Sequence, residues 1–133
     1  MSESKTADYA ITRDLDASFD DVVERVTSAM AEEGFGILTT IDVAATLKKK
    51  LDLDVEPYVI LGACNPQLAS QGIAAEPDLG VLLPCNVVVR RQGDTTHVAA
   101  MDPSSALRLA ENGDLQALAD EARERIARAV DAL

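Results

Sequence analysis

Apolar residues along this chain switch repeatedly between a two-residue and a helical period, and each switch predicts a change of element. Tyr9, Ile11, Arg13 and Leu15 alternate with Ala10, Thr12 and Asp14, the pattern of a strand with one mostly apolar side. Ser18 stands where a helix cap belongs, with Asp21 three residues on as a short capping box. Phe19, Val22, Val23, Val26 and Met30 recur at helical spacing, and Gly34 supplies a left-handed stop. Residues 35–41, FGILTTI, read as a second strand. Asp42 opens a short helix with Val43, Leu47 and Leu51 on one face; Lys48, Lys49 and Lys50 complement the dipole at its end.

The loop LDLDVEP leads into YVILGAC, residues 58–64, whose unbroken apolar character predicts a central strand covered on both faces. Asn65 and Pro66 start another helix, Asn as its cap and Pro at the first helical position. Gly72 and AEPDLG close that segment. Residues 80–92 and 95–101 flank Gly93-Asp94 as a hairpin, and Pro84 bulges or interrupts the first run because it donates no ladder hydrogen bond. Asp102-Pro103-Ser104 begins a short helix that Asn112-Gly113 ends. Asp114 caps a last helix whose Leu115, Leu118, Ala122, Ile126, Val130 and Leu133 form one stripe. This order predicts an α+β fold: a mixed, largely antiparallel sheet with helices packed mainly on one face, a two-layer sandwich. Residues 1–8 read as a polar, disordered tail and residues 9–133 as a single domain.

Length agrees with one domain, since the chain has 133 residues. Aromatics make up only 3%, so Val, Leu, Ile and many alanines must build the core. Net charge is −11, from 23 acidic against 12 basic residues. Such a surface repels a phosphate backbone, and no nucleic-acid partner is expected. No apolar run approaches the roughly 20 residues of a membrane span, and MSESKTAD has no basic start followed by an apolar stretch. The expectation is a cytoplasmic protein with no membrane partner.

The chemistry left to explain sits in two short stretches, GACNP (62–66) and LLPCN (82–86), which hold both cysteines. Asn65 is accounted for by capping. Cys64 precedes a helix N-terminus, where partial positive charge favours a thiolate, and Cys85 follows the disturbed strand at Pro84. Two inert, buried thiols are the plain reading. A disulfide does not suit a cytoplasmic chain. A redox pair lacks the local Cys-x-x-Cys signal. A metal site is short of ligands for zinc, although two thiolates with Met101 or His97 would suit a soft ion such as Cu(I). An exposed strand histidine explains His97 more simply. The glycines around Phe35 do not complete a dinucleotide fingerprint, and no phosphate loop, nucleophile elbow or His-x-x-x-His motif is present. No acid–base pair stands out among the carboxylates, so no catalytic residue is assigned, and no cofactor can be named.

GACNP, then LLPCNVVVR (82–90), then MDP (101–103), with GFGILTTIDV (34–43) upstream, resemble the domain of unknown function 302 family. The resemblance extends from about residue 9 onward and implies a small α+β fold that tends to form homodimers; it implies no reaction. Its recurring positions are Gly62, Cys64, Asn65, Pro66, Leu83, Pro84, Cys85, Asp102 and Pro103. The expectation is a dimeric, non-catalytic domain that binds a small ligand at Cys64, Asn65, Pro84, Cys85 and Met101. The alternative is a thiol-based redox or soft-metal protein using Cys64 and Cys85. A third reading makes the last helix a dimer surface.

Overall fold

The computed structural model describes residues 8–133; the expected tail over residues 1–8 lies, but for Asp8, outside the described residues. Strands β1 (Ala10–Leu15), β2 (Gly36–Asp42), β3 (Tyr58–Cys64), β4 (Cys85–Gln92) and β5 (Thr95–Met101) form one sheet in the order β1-β5-β4-β3-β2. Every pairing is antiparallel. Helices α1 (Phe19–Glu32), α3 (Pro66–Ala75) and α5 (Gln116–Asp131) build the second layer, with α2 (Val43–Leu51) linking β2 to β3 and α4 (Pro103–Ala106) following β5. The result is the expected α+β two-layer sandwich.

Local chemistry sets most element ends. Ser18 Oγ accepts from the Asp21 N–H at 3.2 Å, Asp42 Oδ1 from the Ala45 N–H at 2.9 Å, and Asp102 Oδ1 from the Ser104 N–H at 2.9 Å. Gly34 and Gly93 take the positive φ values of 86° and 62° that a helix stop and a tight hairpin require. Three boundaries differ from expectation. Residues 77–82 form a 3₁₀ turn, so β4 starts at Cys85 after the cis Leu83–Pro84 bond. Gly72 lies inside α3 and does not end it. Asp114 does not cap α5: Asn112 Oδ1 accepts the Asp114 N–H at 2.9 Å, and a 3₁₀ turn over Gly113–Leu115 leads into the helix.

Only one sheet face feeds the core. Val59, Leu61, Ala63, Cys85, Val87, Val89, Val98 and Ala100 meet Val22, Val26 and Met30 of α1 and Ala122, Ile126 and Val130 of α5. The α5 stripe is therefore spent on the core. β3 is second from the sheet edge, and its apolar run is divided by the pleat: Val59, Leu61 and Ala63 are buried while Ile60 is half-buried on the other side. Cross-strand register sets Asp14, His97, Arg90 and Tyr58 in one row on that second face, beside an apolar row of Ala99, Val88, Ile60 and Ile41.

Gly62 marks the tightest crossing in the sheet. A Cβ there would run into Thr39 Oγ1 and stand 2.9 Å from Pro84 Cγ. Replacing Gly62 by alanine should lower stability by about 1–3 kcal/mol, the usual cost of forcing a methyl into a filled space. Gly36→Ala, where nothing lies within 4 Å of the new carbon, should stay within about 0.5 kcal/mol of the parent. Urea unfolding of the two variants checks this, and equal midpoints would refute the crossing as a packing constraint.

Candidate functional site

The two cysteines come together because one strand ends where its neighbour begins. Cys64 is the last residue of β3, Cys85 is the first of β4, and Cys85 pairs across the ladder with Ala63. The cysteines are thus diagonal neighbours, one residue out of step. Successive side chains leave a strand on opposite sides, so Cys85 joins the buried cluster while Cys64 stays half-buried outside it. Both are free thiols.

Both also line one cleft at this end of the sheet, together with Asn65, Leu83 and Pro84. Leu68 and Gly72 of α3, Leu79 of the 3₁₀ turn and Leu115, Leu118 and Ala122 at the start of α5 supply its walls. Its interior volume is about 50 Å³, room for roughly four water molecules. Among the described residues, no Asp, Glu, Lys, Arg or His lines it. Four of the five residues expected at a site are therefore gathered here: Cys64, Asn65, Pro84 and Cys85. Met101 is not among the lining residues, although it ends β5 at the same end of the sheet; it pairs with Ala10. Phe35, Leu68, Leu79 and Leu115 were not singled out by the sequence reading, since an apolar residue in a run or loop gives no sign of which void it borders.

Asn65 carries two roles on one side chain. Its Oδ1 accepts the Leu68 N–H at 3.1 Å and caps α3. Because that N–H can only donate, the oxygen faces Leu68 and the Nδ2 group points elsewhere. Burial pushes the Cys85 thiol up from 9.0 to about 11, with the neighbouring Cys64 adding to the shift. At neutral pH Cys85 is a protonated thiol. It is therefore neither a nucleophile nor a ready thiolate ligand.

His97 corrects the expectation of an exposed residue. It is only 2% exposed, and its Nδ1 lies 2.5 Å from Asp14 Oδ1. A carboxylate oxygen only accepts, so Nδ1 carries the proton. The pair belongs to the second sheet face and does not line the cleft. Among the described residues, no group of three or more His, Cys, Asp or Glu side chains is placed to hold a metal ion.

The Cys85 environment has a measurable consequence. Below about pH 9 the thiol is protonated in both the folded and unfolded chains. As pH rises through 9 towards 11, the unfolded chain releases its proton and the native one does not. Stability contributed at this site is thus present below pH 9 and is lost across that window, by about 2–3 kcal/mol. Cys85→Ala removes the loss. The difference in urea-derived stability between parent and variant should change by that amount between pH 8.5 and 11, and a constant difference would show that the thiol is not held neutral by its surroundings.

Comparison with known proteins agrees with this architecture. The family model "Domain of unknown function DUF302" matches residues 11–133. No functionally curated protein matches the chain. Among solved structures, the chain is similar to an uncharacterised conserved DUF302 protein from Bacillus stearothermophilus, with 30% identity and a TM-score of 0.87. That match covers 94% of this chain and 98% of the other. The chain belongs to the DUF302 family of domains of unknown function.

Proposed function

We propose that this protein is a small, homodimeric, non-catalytic binding domain of the cytoplasm that takes a small ligand into the cleft at its two cysteines. One observation carries the reading: a concave, almost wholly apolar space is bordered by a few polar atoms, those of Cys64, Asn65 and Cys85. Small-molecule sites have this make-up, an apolar lining with a small number of placed polar groups. Among the described residues, no acid–base pair borders the space, which favours binding over turnover. Two unpaired cysteines suit a reducing compartment. Among the described residues, no helix is long and apolar enough to cross a membrane.

One surface supports the dimer reading. The apolar stripe of α5 is occupied by the core, which disfavours the last helix as an interface. The second sheet face offers Ile60, Val88, Ala99 and the exposed Ile41 side by side. A two-fold contact would cover the same patch on both copies.

A soft-metal reading is kept alive by one fact: Cys64 lies close enough to Cys85 to raise its pKa. Loading Cu(I) would need both thiols ionised, against the burial that keeps Cys85 protonated.

Thermal-shift screening of small apolar compounds tests the lead reading. A bound compound should raise the melting temperature of the parent, and the gain should vanish in Ala69→Leu, which fills the cleft from α3. A gain that survives this change would place the ligand elsewhere. Sedimentation should give a two-chain species that Ile60→Asp converts to single chains; a monomeric parent would end the dimer reading. Stoichiometric Cu(I) uptake lost in both Cys64→Ala and Cys85→Ala would replace the lead reading with the soft-metal one.

A further inference from the structure

A run of unpaired polar groups lies on the sheet face away from the core, in the row that cross-strand register builds from Tyr58, Arg90, His97 and Asp14. His97 is only 2% exposed, and its Nδ1–H is donated to Asp14 Oδ1. The two ring nitrogens project to opposite sides, so with Nδ1 turned to β1, Nε2 is turned towards Arg90 on β4. Nε2 has no hydrogen-bond partner among the described residues. No sealed side-chain nitrogen or oxygen among them lacks a partner, so this nitrogen opens to solvent. With the ring proton at Nδ1, it presents a lone pair.

Its neighbours in the row are unpaired as well. Arg13, Arg25, Arg91, Arg123, Arg125 and Arg128 all have hydrogen-bond or ion-pair partners. The half-buried Arg90 has none among the described residues, and neither does the Tyr58 hydroxyl. Directly opposite residues on neighbouring strands stand about 5 Å apart, a gap that two oxygens of one tetrahedral oxyanion bridge.

Two needs select the ligand. The guanidinium wants an anionic acceptor, and the Nε2 lone pair wants a donor. A carboxylate, a sulfate and a phosphodiester meet the first need and fail the second, since none carries an O–H near neutral pH. A phosphate monoester loses its last O–H above about pH 6. Inorganic phosphate keeps one and meets both. The net charge of −11 opposes any anion, but screening confines that repulsion to about 8 Å. The carboxylate in the row, Asp14, is engaged by His97.

We propose that this row is a binding site for inorganic phosphate: His97 Nε2 accepts from the P–OH, while Arg90 and the Tyr58 hydroxyl donate to the ionised oxygens. Asp14 is a positioning residue that holds the ring with its lone pair towards Arg90. The site is separate from the cleft at the cysteines and does not depend on it. It adjoins, without including, the apolar row of Ile60, Val88 and Ala99.

The full chain, labelled with nitrogen-15, is titrated at pH 8 and low ionic strength with phosphate, sulfate and methyl phosphate, and followed by NMR. Of these three tetrahedral oxyanions only inorganic phosphate carries an O–H at that pH. Phosphate should shift the amide signals of Asp14, Arg90 and His97, and sulfate and methyl phosphate should bind at least tenfold more weakly. Arg90→Gln should weaken phosphate binding at least tenfold and leave the spectrum outside the row unchanged. His97→Asn keeps an amide donor for Asp14 but loses the lone pair; it should bind phosphate no better than sulfate. Sulfate or methyl phosphate bound as tightly as phosphate would overturn the inference. So would parent-strength phosphate binding by Arg90→Gln, or a phosphate titration that leaves the signals of the row unmoved. The comparison of anions uses the parent chain alone, so it decides even where His97→Asn does not fold.

Discussion

The absence of a side chain at Gly62 is the constraint on which this end of the molecule depends. The Pro84 ring and Thr39 Oγ1 occupy the space a Cβ would need, so strands β2 and β4 both close on β3 at one point. That approach brings the Leu83–Pro84 turn against the end of β3 and starts β4 directly at Cys85. With the register set there, Cys85 faces Ala63, and Cys64 and Asn65 fall at the cleft edge. A larger residue at 62 would push Pro84 away, and the border of the cleft shared by GACNP and LLPCN would open. GACNP and LLPCN are thus two halves of a single packing arrangement, with any chemistry of the sulfurs laid on top of it.

Composition explains why a hollow exists at all. With aromatics scarce, small residues carry much of the packing: Ala63, Ala100, Ala119, Ala122 and Ala129 are all buried. Small contacts let α5 approach the sheet closely along most of its length. Leu79 packs against Gly72, and a small space bordered by Ala69, Gly72 and Ala122 is left over. Left empty, 50 Å³ costs about 1 kcal/mol, a tolerable fraction of the 5–15 kcal/mol typical of a folded domain.

Short-range chemistry was legible in the sequence and long-range chemistry was not. Ser18, Asp42, Asn65 and Asp102 cap helices through N–H groups two or three residues away, so each could be read from its neighbours alone. Gly93-Asp94 likewise announces its own hairpin. By contrast, β1 pairs with β5 at the opposite end of the chain, and nothing local in Ala10–Leu15 names that partner. His97 shows the same limit: it became a buried, Asp14-paired residue only when β1 was laid beside β5. The apolar run of β3 misled because a half-covered strand can also be apolar on its open side when that side has an apolar neighbour row. Asn65 was read correctly as a cap, yet its free Nδ2 could not be seen, since the second atom of an amide is defined by what surrounds it in space.

The distribution of cations completes the electrostatic argument. Arg13 donates to the Val130 and Asp131 carbonyls at the end of α5, Arg125 to the Glu33 carbonyl after α1, and Arg91 to the Ala17 carbonyl before α1. Two of these three clamp helix C-termini, where unpaired carbonyls and the dipole both favour positive charge. In a chain with only 12 basic residues against 23 acidic ones, cations used this way are withdrawn from ligand recognition. Among the described residues, no charged side chain of either sign lines the cleft. The bidentate arginine or point-charge lysine contacts that hold phosphate and carboxylate groups have no counterpart among the described residues lining the cleft.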